Sequence, residues 1–403
     1  MLSACIIGVS GYGEIHYRDL MREVAAGRAT VLGATVINQV EEAEKCADLK
    51  GLGCELFSDY EAMFERLARR IDLCLIPTGL PLHAPMTIAA LGVGANVLVE
   101  KPAAPTIQEV RAMEAAERAA GRFVAVGYQD IYAAETMQIK ERLVSGRLGR
   151  IECIKVKADW PRDTVYFTRN AWAGKLKLGD RWVLDSPFNN ALAHYVNLAC
   201  FWAGKTARAS AQIASVEAEL YRAQPIESCD TACIRAVTAD DVPIYFFATH
   251  SGTALWGPEI LVRCEHGSAY WGRGTAHITF ADSKVEELSV DEWETRAAVV
   301  GHAVTHIANP DTFICSLDIA RAQTICVNGA HESSAIHQLD DALITRYPDG
   351  DAVATVIHDI DDIIHRAFDE EKLFSELGVP WAKPGEKVPM TDYGEFKGGK
   401  TGA

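Results

Sequence analysis

The sequence predicts a doubly wound, parallel α/β domain followed by a strand-rich domain with a few helices on one face. Three observations predict it. The first third alternates short apolar runs with helix-patterned stretches. The turn Gly8-Val9-Ser10-Gly11-Tyr12-Gly13 follows the first apolar run and opens a helix. After Gly127 the alternation gives way to longer runs of period-two patterning. At 403 residues the chain is too long for one ordinary core, and 49% apolar with 23% charged residues is the composition of a folded protein, so two domains are expected.

In the first domain, strands are expected at Leu2 to Val9, Val31 to Ile37, Glu55 to Phe57, Ile71 to Ile76, Asn96 to Val99 and Phe123 to Val126. Helices are expected between them, near Glu14 to Ala26, Glu41 to Leu49, Tyr60 to Arg69, Ala84 to Leu91 and Thr106 to Ala120. Asp59 and Thr106, the latter with Glu109 three residues on, have the chemistry of helix N-caps. In the second domain a helix at Ala134 to Ser145 precedes strands at Ile151 to Ala158, Ala207 to Val216, Thr231 to Thr238, Ile244 to Thr249, Glu259 to Cys264, Ser268 to Trp271 and His277 to Phe280. Further helices are expected at Asn189 to Trp202, Asp311 to Asn328 and Val353 to Phe368. The boundaries are 1–127, 128–380 and a tail, 381–403, whose last residues from Lys397 read as frayed.

Composition excludes several classes. A formal net charge of -16 works against binding the nucleic-acid backbone, which needs clustered Lys and Arg. No run reaches membrane-spanning length, and the start lacks a secretory signal. Eleven cysteines scattered through apolar segments suit buried thiols in a reducing cytoplasm. Cys229 and Cys233 have no second pair near them, so core packing is favoured over zinc and no metal is expected.

The glycine turn departs from G-x-G-x-x-G, because Ser10 holds the middle position and Gly11 is extra. Its context, a strand before and a helix after, still suits backbone amides and a helix N-terminus holding a pyrophosphate. The second strand ends in Asn38 where a ribose-binding carboxylate is expected. Asn38 can hydrogen-bond a ribose hydroxyl, while Glu41 and Glu42 would repel a 2′-phosphate, which favours NAD over NADP. Glu100-Lys101-Pro102 ends the apolar run 96–99, and a charged pair at the carboxyl end of a buried strand faces the nucleotide crevice.

With these residues the chain resembles the Gfo/Idh/MocA family of nicotinamide-dependent oxidoreductases. The likeness rests on Gly8 through Gly13 with His16, Pro77 with His83, Glu100-Lys101-Pro102 and Val126-Gly127-Tyr128. It extends to the stretches 316–321 and 328–334. The resemblance implies a Rossmann domain and an α+β domain with a large open, mostly antiparallel sheet, through which members form homodimers or homotetramers. It implies that Gly8, Ser10, Gly11, Tyr12, Gly13, Asn38, Pro77, His83, Glu100 and Lys101 lie on the cofactor side and Tyr128 on the substrate side. Lys101 would point toward nicotinamide and substrate. The family motif G-x-x-x-D-x-x-x-H matches Ser186 through His194, with His194 in place, Ser186 for its glycine and Asn190 for its aspartate.

Oxidising a secondary alcohol needs a base for the hydroxyl proton while hydride leaves the same carbon. His194 is the candidate base, and Lys101 would stabilise charge on the same oxygen. Asn190 and His194, four apart on an expected helix, would share a face, with Asn190 positioning a hydroxyl. Between them and the preceding strand runs a long segment rich in aromatics, with Trp160, Arg162, Tyr166, Arg169, Trp172 and Trp182. Aromatic faces beside Arg162, Arg169 and Trp172 suit a sugar ring, and the arginines would hold a carboxylate. His250 and His331 are further candidates to reach the pocket. The expectation is a cytoplasmic NAD(P)-dependent oxidoreductase acting on a small carbohydrate, either a sugar, a cyclitol or a sugar acid. The alternatives are a redox-neutral glycosidase or isomerase of the same family, a zinc-assisted variant, and a non-catalytic dinucleotide-binding regulator.

Overall fold

The structure, a computed structural model, describes residues 1–400, apart from the side chains of 292–294. It forms two compact units: residues 1–104, 108–132 and 292–320 in one, and 105–107, 133–291 and the chain from 321 onward in the other.

The first unit holds six strands, β1 (Leu2–Ile7), β2 (Ala29–Thr35), β3 (Glu55–Phe57), β4 (Leu73–Ile76), β5 (Asn96–Val99) and β6 (Val124–Val126). They lie in the order β3-β2-β1-β4-β5-β6, all parallel. This is the doubly wound order of a Rossmann sheet, whose switch point between β1 and β4 opens a crevice at the strands' carboxyl ends. All residues of β4, β5 and β6 are buried, as a sheet covered on both faces requires. Asp59 caps the helix Tyr60–Leu67, accepting from the Ala62 amide at 3.0 Å.

The segment 292–320, which the sequence reading assigned to the second domain, belongs to this first unit. Its helix, Glu292–Ala308, was not expected, because the run Ala-Ala-Val-Val-Gly-His-Ala-Val shows little polar periodicity. Phe123 meets His306 edge-on at 4.7 Å, Tyr132 meets His302 at 5.2 Å, and the Val126 amide donates to Cys315 O at 2.8 Å.

The second unit adds β7 (Ile151–Asp159), a ribbon of β8 (Lys177–Leu178) and β9 (Arg181–Trp182), then β10 (Ile213–Arg222), β11 (Thr231–Thr238), β12 (Pro243–Thr249), β13 (Trp256–Cys264), β14 (Gly267–Gly272), β15 (Thr275–Phe280) and β16 (Val285–Leu288). After the helix Leu317–Ser333 come β17 (Ile336–Gln338), the hairpin β18 (Ile344–Asp349) and β19 (Ala352–Ile357), and β20 (Val388–Pro389). The large sheet runs β16-β15-β14-β13-β7-β12-β11-β10-β17, with β20 on β10. It is antiparallel except where β12 meets β7 and β10 meets β17.

Successive residues of β12 serve opposite faces. Phe246 packs with Phe188 under the helix Ala193–Trp202, while Tyr245 and Phe247 join Ile360, Ile364 and Phe374. The sheet centre is therefore covered on both faces, by Ala193–Trp202 and by Ile360–Glu370, rather than on one.

Three expected elements shift. Residues 353–368 divide into a strand and the helix Ile360–Glu370, the expected strand at 207–216 begins only at Ile213, and the helix expected from Asp311 starts at Leu317. The tail is docked as far as Lys400. Phe396 is buried against Trp182, and the Lys397 and Lys400 amides donate to Glu332 Oε1 (3.1 Å) and His331 O (2.9 Å). The last three residues of the expected frayed end lie outside the described residues.

Candidate functional site

In the nucleotide unit the glycine turn leaves β1 with Gly8 at φ 92° and Gly11 at φ 57°, conformations that favour glycine. A Cβ at either would meet nothing within 4 Å, so bare backbone faces open space at the switch point, as approach of a pyrophosphate demands. At Gly13 a Cβ would stand 2.9 Å from Gly8 O and 3.5 Å from Pro77, so this glycine serves close packing of helix on turn. Ser10, in the irregular middle position, turns its hydroxyl to the Asn38 amide at 3.0 Å. The turn therefore fits a dinucleotide, with Ser10 and Asn38 paired where the adenosine ribose is expected.

Carboxylates do stand near the turn, held by a lysine. Lys45 Nζ donates to Glu42 (2.6 Å), Glu14 (3.2 Å) and Val9 O (3.0 Å), gathering acid beside the turn. The contact with Lys45, then that with Ser10, holds the Glu42 carboxyl below its usual range.

The Glu100-Lys101-Pro102 corner is fixed from two sides. Glu100 is 6% exposed; it takes a hydrogen bond from His16 Nε2 at 2.9 Å and from the Lys101 amide at 2.9 Å. Gly127 makes room for it, since a Cβ there would fall 2.7 Å from Glu100 Oε1. His83 is buried with Nδ1 2.8 Å from Pro102 O and Nε2 3.0 Å from Thr78 O. Burial lowers its pKa against these two carbonyl contacts, and the shorter one ties the ring to the corner. His83 thus spends its ring on backbone. Tyr128 is buried at 1% exposure, and Tyr12 donates to Gln129 Oε1 at 3.1 Å.

In the second unit a different set converges. Asp163 caps the short helix Thr164–Thr168, accepting from the Tyr166 amide at 2.8 Å, and so presents Tyr166. The guanidinium carbons of Arg169 and Arg162 lie 3.6 and 4.6 Å from its ring centre. Arg162 and Arg273 also face Trp160, at 5.8 and 4.9 Å, and Arg169 faces Trp172 at 5.5 Å. His250 is 2% exposed and donates from Nδ1 to Trp160 O at 2.8 Å. Burial, then Arg162, pushes its pKa down to about 3, so it is neutral and offers Nε2 as an acceptor.

Asn190 is not on the helix with His194. It has φ -138° and ψ -92°, after the 3-10 turn Pro187–Asn189, and the helix begins at Ala193. The shared-face argument is overturned, because Pro187 and the Ser186 cap close a separate turn first. Asn190 Nδ2 instead donates to Asp185 Oδ1 at 2.9 Å and Tyr166 Oη at 3.3 Å. Asp185, 3% exposed, also accepts from the Gly174 amide at 2.6 Å. Sequence reasoning missed it; the only signal was an acid five residues before the motif's vacant position. His194 sits in the first turn of its helix, 8% exposed, with its ring 6.2 Å from Tyr195, which lies 6.0 Å from Trp160. Among the described residues no group of three His, Cys, Asp or Glu is placed to hold a metal ion.

A glycine cradle at a Rossmann switch point and a charged corner after β5 define a dinucleotide-binding oxidoreductase fold. Residues 2–128 match the family described as "Oxidoreductase family, NAD-binding Rossmann fold", and residues 136–270 the GFO/IDH/MocA C-terminal domain. The chain belongs to the Gfo/Idh/MocA family, and its cofactor is a nicotinamide dinucleotide. It is 28% identical over 223 residues to inositol 2-dehydrogenase of Azotobacter vinelandii, a match covering 53% of this chain and 61% of that protein. It is similar in fold to the WlbA dehydrogenase of Bordetella pertussis, solved with NADH and UDP-GlcNAcA (TM-score 0.66, 20% identity, 82% of this chain and 95% of that one). It is likewise similar to levoglucosan dehydrogenase, solved with NADH and levoglucosan (TM-score 0.67, 16% identity, 82% and 96%).

Proposed function

We propose that the protein transfers a hydride between NAD and a hydroxyl-bearing carbon of a sugar, cyclitol or sugar acid. The observation that carries this reading is the buried corner in which His16 and Gly127 fix Glu100 and so set Lys101 at the carboxyl end of β5. The bound nicotinamide supplies hydride exchange. Lys101 hydrogen-bonds the oxygen of the reacting carbon and stabilises charge developing there. His194 takes the hydroxyl proton. Asn190, with both amide protons directed to Asp185 and Tyr166, turns its carbonyl to a substrate hydroxyl.

Two features support finer readings. Arg162 Nε is buried with no hydrogen-bond partner among the described residues, beside Arg169, which favours a substrate carboxylate and hence a sugar acid. Glu42 near Ser10 favours NAD over NADP, because its charge opposes a 2′-phosphate. The same reading includes a cytoplasmic setting and a homodimer or homotetramer, tested by cell fractionation and light scattering. The deciding experiment follows NADH absorbance on a panel of sugars, inositols and uronic acids. Reduction of NAD by one class, abolished in Lys101→Ala, supports the reading; no turnover with any class overturns it.

A further inference from the structure

The second unit contains a cavity of about 580 Å³ that the reaction does not use. Its walls come from the 176–184 ribbon, the end of β10, the helix Leu317–Ser333 and the docked tail. Leu176, Trp182, Leu184 and Ile336 make it apolar, and its size is that of a small-molecule site. Arg222 and Lys177 line it, as do Glu227 and Lys400, and neither Arg222 nor Lys177 forms a salt bridge among the described residues. Arg222 donates to Gln338 Oε1 (2.8 Å) and Glu227 O (2.9 Å), whereas the Glu227 carboxylate is taken by Lys175 (2.7 Å). Lys177 Nζ lies 4.0 Å above the Trp182 ring.

His331 supplies a second, independent indication. It lines the cavity, is 3% exposed, and its ring makes no hydrogen bond to the described residues. Its ring nitrogens are not among the enclosed unpartnered atoms, so they open on the cavity and can meet a ligand there.

We propose that this cavity binds a small organic anion with a flat apolar body, its carboxylate held by Arg222 and Lys177 and its ring laid against Trp182 and Ile336. It is distinct from the Arg162–Asn190 cluster. Leu184 faces the cavity while the next residue, Asp185, holds Asn190, so the ribbon is a wall with a site on each side.

The test is calorimetric titration of the full chain with 2-naphthoate and with the neutral 2-naphthamide. One site is expected for naphthoate, with the amide binding about tenfold more weakly and the Lys177→Gln/Arg222→Gln variant, which removes both cations, about thirtyfold more weakly. Lys177 is exposed and its ammonium rests over the Trp182 ring, so Lys177→Gln alone serves as the fold-preserving control and weakens naphthoate about threefold. His331→Phe likewise weakens naphthoate. Equal affinity of naphthoate for wild type and both charge variants, equal affinity for acid and amide, or no binding overturns the proposal.

Discussion

The two units build their sites from different materials. In the nucleotide unit the groups fall at the ends of successive parallel strands, Gly8 after β1, Asn38 after β2, Pro77 after β4 and Lys101 after β5. The sheet order alone gathers them. In the second unit Arg162, Tyr166, Asp185, Asn190, His250 and Arg273 come from loops, strand ends and a short helix; one backbone bond, from the Arg162 amide to His250 O, and a set of side-chain contacts join them. A backbone site tolerates irregular letters, as Ser10 and Asn38 show. A side-chain site can draw its charge from outside the motif: Asp185, five positions before the motif's vacant acid, contacts Asn190.

The largest effect should come where the backbone site carries its one charged working group. Lys101→Ala should lower kcat by about a thousandfold, the scale of removing one preorganised donor. NADH affinity, measured by fluorescence titration, should stay within about threefold, because uniform binding is untouched. Retention of turnover would place the chemistry elsewhere.

The relocated carboxylate gives the next effect. Asp185→Asn should cost about a hundredfold in kcat, because an amide has one acceptor oxygen and cannot hold both the Asn190 amide and the Gly174 amide as the carboxylate does. Asn190→Asp alone sets two carboxylates at the present 2.9 Å contact, and the pH profile should shift upward as one of them holds a proton. The exchange Asp185→Asn/Asn190→Asp should recover most of the rate. If the exchange is no better than either single change, Asp185 acts only in folding.

Smaller effects separate substrate from cofactor. Arg162→Gln should raise KM for a uronic acid about tenfold and leave a neutral cyclitol unchanged. Glu42→Gln should improve NADP relative to NAD about threefold, read from the kcat/KM ratio.

The same contrast decides what was legible in the sequence. Strand ends at Ile76, Val99 and Val126 and the cap at Asp59 follow from local pattern, and the corner at Lys101 follows from them. The helix at 292–308 was hidden because its burial partners, Phe123 and Tyr132, are some 170 residues earlier. Asn190 misled because two letters four apart look helical while the Ser186–Pro187 turn between strand and helix depends on the cap geometry. Asp185 and Arg273 belong to the site only through contacts that no local period encodes.

The units also differ in how they bury acid, and this is read in stability rather than in rate. In the first, Glu100, Asp19 and Glu23 face His16, Arg22 and Arg28 at 2.9, 2.7 and 2.6 Å. In the second, Asp159 at the end of β7 is fully buried, and neither oxygen has a hydrogen bond of good geometry. Burial, then the neighbouring Asp361, pushes its pKa up to about 8. An unfolded aspartate titrates near 4, so between about pH 4 and pH 8 the folded chain holds one proton more than the unfolded. Stability from this group is therefore greatest at the acid side and falls as pH rises, by up to about 1.4 kcal/mol per pH unit. His250 and His331, held down to about 3 and about 4 by burial, act oppositely below about pH 6.5, where the unfolded chain takes up their protons. Subtracting them requires a variant, and Asp159→Asn removes one titration while keeping the shape. Its Tm minus that of wild type should rise steadily from about pH 5 to about pH 8. A difference that stays flat across that range would mean Asp159 is ionised in the fold and paired after all, as the acids of the nucleotide unit are.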